Sequence, residues 1–164
     1  MNYKRPDYQT ARQNAGFNWF IETGYSPLMK LTNISMKSYC LQADACVEMI
    51  KKGWPKFREI YGDLVPYPGI STPQIGYGHV NCLGSELIFP ENGEPFRTNL
   101  YSSLDEGIAA LQKPVDFRNA GMMPFYLDYW EKVKKAFPGE NIGFGFSVQG
   151  PVTTAWFLRG EKIF

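Results

Sequence analysis

Apolar residues fall into short blocks along this chain, and their spacing changes from block to block. Met36, Tyr39, Ala43, Val47 and Ile50 recur at steps of three and four, the spacing of one helical face. Ser35 stands in front of them as an N-cap, a side chain able to accept from a free N–H of the first turn. Gly53 and Pro55 interrupt this pattern, and Phe57, Ile60 and Tyr61 continue it as a second helical piece that stops at Gly62. Asp63 to Tyr67 reads as a short apolar strand closed by Pro68 and Gly69. Upstream, residues 1–15 are polar and read as an arm or a short helix. Residues 16–31 carry many large apolar side chains without a clean period. They read as a short helix to about Glu22, a turn at Gly24 and an extended piece ending near Leu31.

Residues 70–84 read as loop, with Pro73, Gly76, Gly78 and Gly84 among polar positions. Leu87 to Phe89 is a short strand, 90–93 a turn, and Pro95 to Leu100 extended. Ser103 with Glu106 fits a capping box, opening a helix that runs to Gln112 and ends before Pro114. Pro124 suits the first turn of the next helix, whose apolar face is Met122, Tyr126, Tyr129, Val133 and Ala136 and whose stop is Pro138-Gly139. Ile142 to Val148 then reads as a buried strand, followed by a Gly150-Pro151 turn and a new helix. Strands alternating with helices indicate a parallel α/β sheet. Gly143 and Gly145 inside that strand cost stability unless backbone or ligand comes close. Ser147 and Gln149 sit at its C-terminal end, where α/β enzymes place their sites.

Composition narrows the function. The 164 residues suffice for one domain with a sizeable core. Lys plus Arg number 17 and Asp plus Glu 16, a near-balance that gives no electrostatic case for nucleic acid or an anionic membrane. Aromatics at 16% fit a core with sharp turns, or a site lined with rings. Cys40, Cys46 and Cys82 form no CxxC pair and no disulfide framework, so reduced cytoplasmic thiols are expected. The N-terminus lacks an apolar run, so no signal peptide is expected, and no apolar segment approaches the ~18 residues of a membrane span.

His79 is the only histidine and lies in GYGHVNCLG with Tyr77, Asn81 and Cys82. It admits three readings: an ordinary loop or core residue, a pocket residue carrying a proton or a hydrogen bond, or a metal ligand with Cys82 that would need about two further ligands. The glycines of this stretch lack G-x-G-x-x-G spacing, which weakens a dinucleotide reading. Gly150-Pro151 is either a tight turn or an anion site at a helix N-terminus. Glu86, Glu91 and Glu94 surround a turn and read as solvated, with paired acid–base work as the alternative. Arg12, Arg97 and Arg118 are potential carboxylate clamps that nothing in the sequence brings together. No catalytic set can be assembled around a single histidine.

The stretch VNCLGSELIFPENGEPFRTNLYSSLDEG resembles the uroporphyrinogen decarboxylase-like superfamily, and so does GFSVQGPVTTAWFLRG, which matches that family's next strand and turn. ISMKSYCLQADACVEMIKKGWPKFREIYGDLVPYPG resembles its early helices and first barrel strand, so the likeness runs from about residue 33 to 161. The resemblance implies the N-terminal part of a (β/α)8 TIM barrel with additional N-terminal helices: an arm and helix over 1–32, and the first part of an incomplete barrel domain over 33–164. The family includes the haem-pathway decarboxylase and corrinoid-linked methyltransferases.

Two departures bear on which branch. The decarboxylase's R-Q-A-G-R-Y stretch appears only as Arg12-Gln13-Asn14-Ala15-Gly16-Phe17, without a second arginine, and Ile75 falls near the position of its catalytic Asp. Decarboxylation of uroporphyrinogen is therefore not expected, and the resemblance implies the methyltransferase branch. There, a zinc held by residues of the C-terminal half would activate a thiol acceptor, with a corrinoid as methyl carrier. Neither cofactor is expected within this chain. A full barrel needs about 250 residues. The expectation is therefore a fragment, a subunit completed by a partner chain, or a self-associating half-barrel. The expected pocket wall is Tyr77, His79, Asn81, Ser147 and Gln149, acting on a small-molecule or corrinoid-protein substrate. The alternative is a non-catalytic half-barrel that binds or supports a partner.

Overall fold

The computed structural model describes residues 7–16, 23–62, 65–91 and 93–163. The helix expected up to Glu22 falls largely on residues 17–22, and the strand expected from Asp63 begins on residues 63–64. Both stretches lie outside the described residues.

Helix α1 spans Tyr8–Asn14 and α2 spans Ser26–Thr32. The extended piece expected up to Leu31 is thus a helix. Pro27 sits in its first turn, where a fixed φ favours helix, and Asn33 ends it in the left-handed conformation at φ 58°. Seven residues are too few for a period to register in sequence, although Leu28 and Met29 on this helix are buried.

Ser35 caps α3 (Met36–Leu41) as expected, its hydroxyl accepting from Ser38 N–H at 3.1 Å. The single helix expected over 36–50 breaks at Gln42, whose backbone is extended, and α4 follows as Ala43–Tyr61. Helix α4 runs through Gly53 and Pro55 without interruption. A Cβ on Gly53 would lie 3.1 Å from Leu28, so this glycine lets α2 pack closely on α4. Apolar burial on both sides of Pro55, by Met49, Ile50 and Phe57, holds the helix across the missing N–H.

The 65–69 stretch is not a strand. Tyr67 stacks on Trp54 with ring centroids 4.6 Å apart, and Arg58 covers its ring at 4.1 Å. The parallel pairing comes later, where loop was expected. Ser71 bridges Gly143 and Ile75 bridges Phe146, both parallel. Gly143 N–H donates to Ile70 C=O at 2.8 Å, Thr72 N–H to Gly143 C=O at 3.0 Å, and the Thr72 hydroxyl accepts from Gly145 N–H at 2.7 Å. A Cβ on Gly145 would come within 2.7 Å of the Thr72 carbonyl oxygen. The close approach that the glycines implied is therefore to a neighbouring backbone. Residues 142–148 form an extended segment held by two bridges, with Ile142 buried and Val148 exposed.

Helix α5 spans Gly78–Cys82, inside the expected loop. Strands β1 (Leu87–Ile88) and β2 (Phe96–Arg97) form an antiparallel pair. Helix α6 is Leu104–Leu111. Ser103 accepts from Glu106 N–H, but the Glu106 carboxylate reaches Ser102 N–H at 2.9 Å, one residue earlier than a capping box places it. Helix α7 is Met123–Ala136, burying Tyr126, Tyr129 and Val133 as expected. Helix α8 is Pro151–Arg159, followed by a 3-10 turn over Gly160–Ile163.

The main core joins α2, α3, α4 and α7 around Leu28, Cys46, Met49, Phe57, Tyr129 and Val133. A smaller cluster of Val80, Phe157 and Leu158 joins α5 to α8. The class is helix-rich α/β, with two parallel segments and one short hairpin among the described residues. No helix among them is long and apolar enough to cross a membrane.

Candidate functional site

The two parallel segments run in the same direction and end at Ile75 and Phe146. Beyond their C-terminal ends lies an open cleft of about 380 Å³. Tyr25, Tyr39, Tyr77 and Phe157 give it aromatic faces, and Met29 and Met36 add thioethers. Its polar lining includes Gln74, Glu94 and Gln149. Tyr77 is fixed edge-on against Phe157, centroids 4.9 Å apart. The Tyr25 hydroxyl is already occupied: it donates to Gly69 C=O and accepts from Ser71 N–H at 3.1 Å.

Tyr77 and Gln149 therefore face this cleft, while His79, Asn81 and Ser147 are not among its lining residues. His79 is 5% exposed. Its Nδ1 lies 3.2 Å from Ser147 C=O and its Nε2 2.9 Å from the Thr154 hydroxyl. A carbonyl only accepts, so Nδ1 carries the proton of the neutral ring and Nε2 faces Thr154 with its lone pair. Burial pushes the imidazole below its ordinary value, and the hydrogen bond to Ser147 opposes this in part. The histidine thus joins the end of the second segment to the first turn of α8.

Asn81 is equally committed. Its Nδ2 donates to Ser85 C=O and its Oδ1 accepts from Met122 N–H, each at 2.8 Å. Gly121, at φ 53°, admits this contact, since a Cβ there would lie 2.4 Å from Oδ1. Asn81 is thus a strut between α5 and the start of α7.

The cleft residues missed in sequence include Tyr25, Tyr39, Met29, Met36, Cys40 and Phe157. Aromatic abundance was the one signal for Tyr25, Tyr39 and Phe157, and it did not separate cleft from core. Burial first and the neighbouring Cys46 second push the Cys40 thiol up to about 12, which disfavours its thiolate at neutral pH. Burial pushes Cys46 up to about 11, against a hydrogen bond with Tyr129 that lowers it. No lysine, arginine or histidine lines the cleft among the described residues. Among the same residues no three His, Cys, Asp or Glu side chains come together to hold a metal ion.

The architecture is that of a helix-rich α/β domain with an open cleft at the C-terminal ends of parallel segments. No family model matches the sequence, and a search of curated proteins returns no match. Among solved structures the chain is similar to a methyltransferase from Methanosarcina mazei, with a TM-score of 0.56 and 23% sequence identity. The match covers 86% of this chain and 39% of that one, so this chain spans well under half of its structural neighbour. At that identity the likeness is one of fold.

Proposed function

We propose that this chain is the N-terminal part of a methyltransferase-like protein of the uroporphyrinogen decarboxylase-like kind. In this reading it contributes the first strands of a (β/α)8 barrel, and other polypeptide or a second copy completes the barrel. The observation that carries the reading is the cleft beyond the paired segments 70–75 and 143–146, in a fold similar to a methyltransferase. In this reading Tyr77 and Gln149, which line the cleft, orient a substrate there. Tyr77 offers a ring held in place by Phe157, and Gln149 offers an amide able to donate and accept. His79, Asn81 and Ser147 act behind them by fixing the segment ends. Zinc and a corrinoid belong to the reading only as groups of the complete protein, since the resemblance puts the zinc ligands in the C-terminal half. Zinc would there favour the thiolate of an acceptor.

The test is methyl transfer from methylcobalamin to a small thiol by the protein in its assembled form. Tyr77→Ala and Gln149→Ala should each lower kcat/KM by about tenfold or more, a loss of roughly 1.4 kcal/mol of transition-state stabilisation. Transfer that is unchanged in both variants would remove the cleft from the reaction, and absence of transfer would remove the function.

A second reading is a non-catalytic half-barrel that supports a partner. It rests on the apolar surface left open on α8 and the segment before it, where Val148 is 71% and Val152 68% exposed. A monodisperse monomer that unfolds cooperatively on its own would contradict it.

A further inference from the structure

A second cleft, of about 680 Å³, opens where the last turn of α8 and the residues after it meet the 97–102 segment. Arg97, Arg159 and Lys162 line it, against Glu161 as the one carboxylate in its described lining. Its wall is built from ordered contacts. Arg97 Nη1 donates to Asn99 Oδ1, and its Nη2 donates to Trp156 C=O at 3.4 Å. The same guanidinium lies 5.3 Å from the ring centroids of both Trp156 and Phe157. Asn99 in turn covers Gly160, where φ is 77° and a Cβ would come within 2.7 Å of its Nδ2.

Arg159 is in a different condition. Its Nε and Nη1 are buried, and neither has a hydrogen-bond partner. A guanidinium stays charged at any ordinary pH, and a buried cationic donor without an acceptor is strongly disfavoured. Its planar fork matches the paired oxygens of a carboxylate or phosphate. The two unserved donors lie beneath the surface of a cationic cleft that Arg159 lines, and such a group matches them in charge and shape.

We propose that this cleft binds a small molecule through an oxyanion group, carboxylate or phosphate. Arg159 turns to grip it with two hydrogen bonds, and Arg97 and Lys162 add flanking charge. The site is separate from the Tyr77–Gln149 cleft and stands whether or not the protein transfers methyl groups.

Thermal unfolding of the full chain tests it. Millimolar inorganic phosphate and succinate are each compared with sodium chloride of equal ionic strength, which removes general screening. At least one should raise Tm by about 2–4 °C over chloride, and the one that does so identifies the source of the oxyanion. Arg159→Leu should lose that shift without lowering the Tm of the unliganded protein. Arg159→Lys, measured by calorimetric titration, should bind the effective anion about tenfold more weakly, because an ammonium cannot supply the fork. The proposal is overturned if neither anion exceeds chloride or if Arg159→Leu keeps the shift. It also fails if Arg159→Leu destabilises the unliganded protein, which would mean that the guanidinium already has its partner.

Discussion

The imidazole Nε2 of His79 and the hydroxyl of Thr154 lie 2.9 Å apart, although 75 residues separate them in the chain. The same hydroxyl is 3.3 Å from Gln149 C=O. With His79 neutral, the hydroxyl hydrogen serves Nε2. With His79 charged, Nε2 becomes a donor and that hydrogen is released toward Gln149.

Stability should therefore depend on pH through His79. Its folded pKa is lowered from the ordinary value of 6.5, so the unfolded chain takes up a proton first. Its contribution is fully present above about pH 6.5 and is lost as pH falls toward the lowered value. Urea unfolding between neutral pH and pH 5 should show this decline, and His79→Gln should flatten it. An unchanged slope in the variant would exclude His79 as its source.

Gly145→Ala should be costly. Its Cβ would meet the Thr72 carbonyl at 2.7 Å and the Pro73 carbonyl at 2.9 Å, both backbone atoms that cannot swing aside. A loss of about 3 kcal/mol is expected, at the upper end for overpacking. Gly150→Ala meets nothing within 4 Å and serves as the control. Chemical denaturation of the pair reads the difference.

Tyr129→Phe should cost about 1–3 kcal/mol. The Tyr129 hydroxyl donates to Tyr39 C=O at 2.6 Å, and its removal leaves that buried acceptor unserved. A midpoint shift in urea at unchanged m-value would confirm a local loss.

The three thiols should be sluggish toward disulfide reagents in the native protein. Burial raises all three, Cys40 to about 12, which leaves about 10⁻⁴ of Cys40 as thiolate near pH 8. Reaction should become rapid only with unfolding. Fast native labelling of Cys40 would mean that the cleft opens well beyond its described shape.

The helices were legible where a start signal and a face coincide. Ser35, Ser103, Pro124 and Pro151 each mark a helix found in the structure. The first parallel segment was hidden because Ser71, Thr72, Pro73 and Gln74 read as loop. Thr72 is fully buried, and its hydroxyl replaces a ladder acceptor for Gly145. No local pattern announces a polar residue whose partner lies 73 positions away. Pro55 misled in the opposite direction, since packing of α4 on both sides outweighs a single helix breaker. Two of the five expected pocket residues, Tyr77 and Gln149, reach the cleft. The others became struts through partners that only the folded chain brings near. Ser147 meets His79 across 68 residues, and Asn81 meets Met122 across 41.

The Tyr39–Tyr129 contact also has a consequence in time. It closes a loop of 90 residues on the backbone of α3. At about 5–20 residues per second, a ribosome needs roughly 5–20 s to make the chain between the two. Once Tyr61 has been made, late in the first third of that interval, α2, α3 and α4 are complete while the face that α7 covers is bare. The nascent chain therefore passes through a stage in which an apolar face of its main core waits for a helix not yet synthesised.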